Sequence, residues 1–131
     1  MMYEFGIRTE LTDTQDSPKK TVLKLTEGII HQLDIESYPG SMGYLYGAIY
    51  HGGHQVWPTN PDGCFRLGGV PISGKERYEL TIPAELYVYT WLGTGAENYH
   101  DVRVRIWILR EDELGTTIRW TEETEKLYGG E

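Results

Sequence analysis

The sequence of 131 residues has very little cysteine and no long apolar run. A single cysteine, Cys64, cannot form an internal disulfide, so the chain lacks the disulfide framework of small secreted domains. No stretch approaches the roughly 18 consecutive apolar residues of a membrane-spanning helix. The N-terminus also lacks the basic and apolar segments of a secretory signal peptide. These absences predict a protein made in the cytoplasm without a membrane-embedded part, with Cys64 packed in a strand.

Basic charge is scarce as well. The formal net charge is -8, and residues 111–131 contain seven acidic side chains against two basic ones, a net charge of -5. Nonspecific nucleic-acid binding requires a basic stripe that displaces counterions from the phosphates, so this balance argues against a nucleic-acid partner. The same composition predicts an extended acidic C-terminal tail. Four apolar side chains would let this tail dock on a neighbour as an arm, namely Ile118, Trp120, Leu127 and Tyr128.

Motifs for catalysis and metal binding are missing. The sequence contains no nucleophile elbow, zinc-protease helix, Cys-X-X-Cys pair, phosphate-binding loop or dinucleotide fingerprint. Of the four histidines (31, 51, 54 and 100), the nearest pair, His51 and His54, is three residues apart, which on one strand means opposite faces, although the glycine turn between them could bring both around. His31 falls in an apolar row and is predicted to be a core histidine. We therefore predict no enzymatic activity, no metal and no cofactor. The alternative is a metal-dependent jelly-roll enzyme that would lose its metal on His51→Ala.

The chain does contain a series of short alternating strands. Strands are predicted at residues 2–9, 21–26, 29–37, 43–51, 54–57, 64–67, 70–72, 78–82, 86–92 and 101–109. Between them, Glu27-Gly28 fits a hairpin or a bend in one strand, residues 38–41 fit a type II turn, and Gly52-Gly53 fits a hairpin. This pattern predicts an all-β fold, a single antiparallel β-sandwich of the jelly-roll or immunoglobulin-like kind. A closed small barrel is the alternative.

The same pattern divides the chain into three parts. Residues 1–20 are predicted to form an N-terminal strand and a polar linker, residues 21–110 the sandwich core, and residues 111–131 the acidic C-terminal arm or tail. A core of this length is typical of one domain and can be stable without disulfides or metal.

Three of the predicted strands carry an aliphatic row on one face and an aromatic or arginine row on the other. The second rows are Tyr44, Tyr46 and Tyr50, then Tyr87, Tyr89 and Trp91, then Arg103, Arg105 and Trp107. Successive strand side chains point to opposite faces, so the aliphatic rows can form a core while the second rows face a partner. Because these residue types are enriched at interfaces, the three rows and Trp120 are the predicted interface or ligand-binding residues. If the strands are neighbours in one sheet, the rows form one patch. Alternatively, the aromatic rows face the core and another chain covers the aliphatic rows.

Parts of the sequence resemble a known group of proteins. The segments VLKLTEGIIH (residues 22–31), Tyr38-Pro39-Gly40 and IYHGGHQVWPTNPD (residues 49–62) resemble small, mostly uncharacterised β-sandwich proteins encoded among the structural genes of tailed bacteriophages. The resemblance spans residues 21–108 and is one of pattern. It implies a virion component made in the bacterial cytoplasm, either a capsid decoration or cement protein or a head–tail accessory protein. Such a protein would need no cofactor and would bind a capsid or tail protein, or form a homo-oligomer, through sheet faces and terminal arms.

Carbohydrate recognition is the competing prediction. β-Sandwich binding modules stack sugar rings on exposed tryptophan and tyrosine and bind the hydroxyl groups with polar side chains. Here the platform would be Tyr87, Tyr89, Trp91 and Trp107. A protein interface would bury these residues in an assembly, whereas a glycan platform must stay open on the monomer.

Overall fold

The computed structural model describes residues 1–60 and 62–110 of the chain. Within them, nine β-strands are joined by loops and by one short 3-10 helix, Pro39–Ser41. The strands are β1 (Met2–Thr9), β2 (Lys19–Lys24), β3 (Gly28–Ser37), β4 (Leu45–His51), β5 (His54–Trp57), β6 (Phe65–Leu67), β7 (Ile72–Leu80), β8 (Glu85–Leu92) and β9 (His100–Leu109). The predicted C-terminal arm, including Trp120, lies outside the described residues.

The nine strands form two antiparallel sheets. Sheet A has the order β1-β9-β3-β7. In sheet B the order is β2-β8-β4, and the far edge of β4 pairs with β5 along one half and with β6 along the other. Apolar side chains from both sheets fill the space between them, so the predicted all-β antiparallel sandwich is confirmed.

The strand pairing is nested along the chain. The first strand pairs with the last, β2 pairs with β8, β3 with β7, and β4 with β5 and β6. This arrangement is a long antiparallel hairpin folded over on itself, which is the topology of a jelly roll. In an immunoglobulin-like sandwich the first two strands share a sheet, whereas here β1 and β2 lie in opposite sheets. The nested order therefore selects the jelly roll from the predicted alternatives.

Strand alternation decides which side chains form the core. In β9, the residues at 102, 104, 106 and 108 are buried, and the residues between them are exposed or partly buried. The same division holds in β4 and β8, where the aliphatic rows are buried and the tyrosines and tryptophan are partly buried. Each fully buried Leu, Ile or Val contributes roughly 1.5–3 kcal/mol to stability. The predicted aliphatic core is confirmed, and the alternative with inward aromatic rows is wrong.

A bulge in β3 changes the position of His31. The pairing of β3 with both β7 and β9 shifts between Ile30 and Gln32, which leaves His31 without a partner in register. The shift reverses the alternation, so Ile30 points inwards before it, while Leu33 and Ile35 point inwards after it. His31 is therefore a partly buried residue at a bulge, and not the predicted core histidine.

Two of the predicted turns differ from the structure. Glu27-Gly28 does not close a hairpin, because β2 lies in sheet B and β3 in sheet A, so this connection crosses between the sheets. In the second case, Pro39–Ser41 forms a 3-10 helix, and the positive φ angles follow at Met42 (47°) and Gly43 (81°) instead of within a type II turn. The Gly52-Gly53 hairpin between β4 and β5 is confirmed.

Strand β7 is longer than predicted. The sequence predicts strands at residues 70–72 and 78–82, whereas one strand spans Ile72–Leu80. Charged residues at positions 75 to 77 interrupt the apolar alternation. However, β7 is an edge strand that is exposed over most of its length, so its sequence does not have to alternate between apolar and polar residues. These charges also disfavour pairing of the free edge with another sheet.

Four loops gather at one end of the sandwich, which we call the loop end. Because paired strands run antiparallel, these are the connections at residues 10–18, 38–44, 68–71 and 93–99. Hydrogen bonds connect them. The amide of Leu92, the residue before 93–99, donates to the Asp13 carbonyl (3.0 Å), and the Gly93 amide donates to the Tyr44 carbonyl (2.7 Å). The Ser41 hydroxyl donates to the carbonyl of Leu67, the residue before 68–71 (3.0 Å). The loop end is therefore one connected surface.

Candidate binding surfaces

Strands β4 and β8 are neighbours in sheet B, and their outward side chains meet in pairs. The register pairs Tyr46 with Trp91, Ala48 with Tyr89, and Tyr50 with Tyr87. The rings of Tyr46 and Trp91 are nearly parallel, with centroids 6.1 Å apart. Tyr50 and Tyr89 meet edge to face at 5.3 Å. These rings are partly buried, and we call the surface they form the aromatic face.

A groove of about 410 Å³ runs across the aromatic face. Its floor contains Ala48, the one small residue among the outward pairs, together with Tyr50, Tyr89 and Trp91. One rim is formed by the β1–β2 loop, and the other by the segment that precedes β6. Since β2 flanks β8 and β6 flanks β4, the rims lie on opposite sides of the floor. Its volume falls within the roughly 300–1,000 Å³ typical of small-ligand sites.

Gln55 of β5 holds one rim in place. The Tyr50 hydroxyl donates to Oε1 of Gln55 at 3.0 Å. The Gln55 Nε2 amide is directed at three carbonyl oxygens, those of Pro58 (2.8 Å), Asn60 (3.2 Å) and Gly63 (3.1 Å). A single side chain thus connects the aromatic face to the corner between β5 and β6. The rim is positioned by the fold itself, which reduces the entropy cost of binding.

Two polar side chains on the rims have no partner within the described part of the chain. These are the Gln15 amide and the Asp62 carboxylate, and both residues are exposed. Asp62 has a positive φ of 64°, an angle that Asp adopts more readily than most residues. Both side chains are therefore available to a ligand in the groove.

The only cysteine also lies at the groove. Cys64 is exposed and immediately precedes β6, so the prediction that it packs in a strand is wrong. Its thiol can report on whether the groove is occupied.

The third predicted row lies on the opposite side of the molecule. Because β9 belongs to sheet A, Arg103, Arg105 and Trp107 form a separate surface and do not extend the aromatic face. Both arginines contact the carboxylates of Glu4 and Glu36. The distances include 3.2 Å from Arg103 Nε to Glu4 Oε1 and 2.8 Å from Arg105 Nη2 to Glu36 Oε1. Exposed ion pairs contribute little stability, but they neutralise this surface.

The other predicted residues lie around the groove or away from it. Tyr44 precedes β4 at the loop end. Tyr87 lies at the opposite margin of the aromatic face, with Lys20 Nζ 4.5 Å from its ring centroid and its hydroxyl 3.3 Å from a Glu85 carboxylate oxygen. Trp107 is partly buried on the outer side of sheet A. The groove floor therefore contains three predicted residues, while its rim residues were not predicted.

Exposed apolar side chains are concentrated at the loop end. Each of its four loops contributes at least one, and together they are Leu11, Tyr38, Met42, Val70 and Tyr99. Val70 is 77% exposed. At the opposite end, the described loops at residues 25–27, 52–53 and 81–84 expose one large apolar side chain, Ile82, also at 77%, and the N-terminal Met1 (38%) and Met2 (49%) add two less exposed ones. Concentrated exposed apolar surface is typical of protein interaction sites.

His51 is hydrogen-bonded through both ring nitrogens. Its Nδ1 lies 2.7 Å from the Tyr78 hydroxyl and its Nε2 lies 3.2 Å from the Pro83 carbonyl oxygen. A carbonyl can only accept, so in the neutral ring Nε2 carries the proton and the Tyr78 hydroxyl donates to Nδ1. Burial raises the pKa of Tyr78.

The other candidate metal ligands do not converge on a site. His54 is the register partner of His51 across the hairpin, so the glycine turn brings the two side chains to the same face. Among residues 1–60 and 62–110, no group of three or more His, Cys, Asp or Glu side chains could hold a metal ion.

No family model matches the chain, and no curated protein matches it. In the described residues there is no helix that is both long enough and apolar enough to span a membrane. The fold and its surfaces are therefore the basis for a functional assignment.

Proposed function

We propose that this protein is a non-enzymatic binding protein, a virion component of the capsid-decoration or head–tail accessory type, which attaches through its loop end and recognises a separate binding partner through the aromatic face. The observation that carries the proposal is the set of paired aromatic side chains on the outer side of β4 and β8. A sheet surface that only faces solvent carries polar residues at such positions. The part of the outer side of sheet A around Arg103 and Arg105 follows that rule, because both arginines pair with Glu4 and Glu36.

The jelly-roll topology supports this role but does not identify the partner. Jelly rolls form viral capsid and lectin domains, and they also form cupins. A fold alone does not assign a function, so the assignment rests on the residues at the surfaces. Acid–base catalysis uses titratable groups arranged together, whereas the groove offers ring surfaces and one carboxylate, Asp62. The resemblance of residues 21–108 to phage structural proteins supports the virion as the setting.

The loop end supplies the attachment surface in this proposal. A virion component must attach to the shell, or to copies of itself, while its recognition surface stays accessible. The exposed apolar side chains of the loop end suit the first task, because burying them against another protein is favourable. The C-terminal arm predicted from residues 111–131 would add to this attachment. The aromatic face lies on the side of the sandwich and remains open.

Light scattering during size-exclusion chromatography tests the attachment surface. We expect the full-length chain to form a discrete oligomer, and the double variant Tyr38→Ser/Val70→Ser to shift it towards the monomer. Ile82→Ser is the matched control, since Ile82 and Val70 are equally exposed at opposite ends of the sandwich. A chain ending at Arg110 measures the contribution of the arm. A full-length chain that stays monomeric at every concentration, or an equal effect of Ile82→Ser, would show that the loop end does not join copies of this chain.

A further inference from the structure

We propose that the groove on the aromatic face is a carbohydrate-binding site that takes a neutral sugar ring, with Trp91 and Tyr89 as its stacking surface. This inference rests on the proposed function, because it assigns a ligand class to the same face. Three properties of the groove support it: recessed aromatic rings, rim polar groups without a partner among the described residues, and the lack of basic side chains in its described lining.

The aromatic rings are recessed between the rims. Tyr50, Tyr89 and Trp91 are partly buried, whereas Gln15 and Asp62 on the two rims are exposed. A broad protein surface would meet the rims before the rings, and we infer that a ligand as narrow as a sugar chain enters between them. A sugar ring presents C–H groups on its faces and hydroxyl groups around its edge. This matches a floor of aromatic rings bordered by polar side chains.

The rim side chains can satisfy sugar hydroxyls. A hydroxyl both donates and accepts, and the Gln15 amide can do both while the Asp62 carboxylate accepts. Neither group has a hydrogen bond within the described part of the chain, so neither must break a bond to these residues to bind a ligand. A purely apolar ligand would instead cover them without partners, which costs free energy. Gln55 is already bonded to Tyr50 and three carbonyls, so it is a positioning residue.

The charge of the residues that line the groove favours a neutral sugar as the ligand. Among the described residues that line it, none is Lys or Arg, and Asp62 places a negative charge at the rim. Lys20 and Arg66 lie over the rings of Tyr87 and Tyr46 at the margins, outside the lining. A phosphate or carboxylate on the ligand would therefore meet repulsion without a compensating cation. Acidic sugars and nucleic acids are disfavoured accordingly.

Titration calorimetry with defined neutral hexasaccharides tests the site. The probes are linear glucans, mannans and galactans, each added to the full-length protein. We expect at least one to bind and Trp91→Ala to weaken that affinity on the order of tenfold or more. Trp107→Ala is the matched control, because Trp107 is a partly buried tryptophan on the outer side of sheet A. Trp91→Phe retains a ring and should retain part of the affinity. Circular dichroism establishes that each variant is folded.

The exposed thiol of Cys64 provides a local readout. Because Cys64 is the only cysteine and lines the groove, a bound hexasaccharide should slow its reaction with a thiol reagent. Binding that leaves this reaction unchanged would place the sugar elsewhere and overturn the proposal. Binding of a single-stranded oligothymidylate with the same dependence on Trp91 would overturn it in favour of another ligand class.

These experiments distinguish a wrong carbohydrate assignment from a wrong proposed function. If no hexasaccharide binds but Trp91→Ala lowers the mass of the oligomer, the aromatic face is a protein interface, and only the carbohydrate assignment is wrong. If no hexasaccharide binds and Trp91→Ala changes neither mass nor Cys64 reactivity, the aromatic face is not a binding surface. The proposed function then fails as well.

Discussion

Thr9 of β1 and Thr90 of β8 join the two sheets through a hydrogen bond between their side-chain hydroxyl groups, with 2.9 Å between the oxygens. Both residues are fully buried, and Thr9 is the donor. A buried hydroxyl that loses its partner costs more free energy than the bond itself contributes. The two threonines therefore stabilise the sandwich only as a pair.

Replacing one threonine of this pair should destabilise the protein more than replacing both. Thr90→Val leaves the Thr9 hydroxyl buried without its acceptor, and we expect the free energy of unfolding to fall by about 1–3 kcal/mol. Thr9→Val/Thr90→Val removes both hydroxyls and keeps the shape, so most of that loss should be recovered. Urea denaturation of the three proteins measures the difference. Additive losses in the double variant would show that the bond does not couple the sheets.

Gly47 is expected to tolerate no side chain. It faces the core from β4, where an added Cβ would lie 2.5 Å from Phe65 Cζ and 2.8 Å from the Tyr89 carbonyl oxygen. Gly47→Ala should lower the free energy of unfolding by about 1–3 kcal/mol through overpacking. The control is Gly6→Ala on the outer side of β1, where no atom lies within 4 Å of the added Cβ. We expect that variant to be neutral or slightly more stable in the same urea denaturation; an equal loss would contradict the packing argument.

Gln55→Leu should loosen one rim of the groove without altering the stacking surface. The substitution removes the bond from Tyr50 and the contacts with the corner carbonyls, and we expect a loss of about 1–3 kcal/mol in the free energy of unfolding. Limited proteolysis should then cleave the corner between β5 and β6 faster. Gln32→Leu is the matched control, because the Gln32 amide has only a 3.4 Å contact with Asp34. Equal protease resistance of the corner in both variants would contradict the positioning role.

Stability should decrease at alkaline pH through Tyr78. Burial raises its pKa above the ordinary value of 10.0, so above about pH 10 the unfolded chain loses a proton that the folded protein still keeps. The free energy of unfolding is therefore highest below this range and falls as the pH rises through it. Urea denaturation at about pH 8 to 11 should show a shallower fall for Tyr78→Phe, with the exposed Tyr38→Phe as control. Identical slopes for Tyr78→Phe and the wild type would contradict this assignment.

The sequence predicted which way strand side chains point, because alternation is a local property. The inward Ile106 and outward Trp107 of β9 follow directly from their positions in the pattern. Sheet membership depends instead on pairing between distant residues, such as Phe5 with Val104. Alternation does not identify that partner, so the arginine row was grouped with the aromatic rows. The bulge at His31 also escaped prediction, since a one-residue shift leaves the apolar composition unchanged.

Only the floor of the groove could be predicted from the sequence. Tyr50, Tyr89 and Trp91 stood out because large aromatic side chains at outward strand positions are unusual. Gln15 and Asp62 lie in loops, where a residue's identity does not determine its position in space. They become neighbours of the floor only because β2 and β6 flank β8 and β4.

The nested strand order has a consequence for synthesis of the chain. In sheet A, β1 has one neighbour, and that neighbour is β9, the last described strand to leave the ribosome. Until it emerges, the inward side chains of β1, including Phe5 and Ile7, have no strand beside them. Non-local pairing of this kind folds slowly, typically in milliseconds to seconds, and exposes unpaired strands to aggregation. The yield of folded protein should therefore depend on how long β1 remains unpaired during translation, and not only on the stability of the finished sandwich.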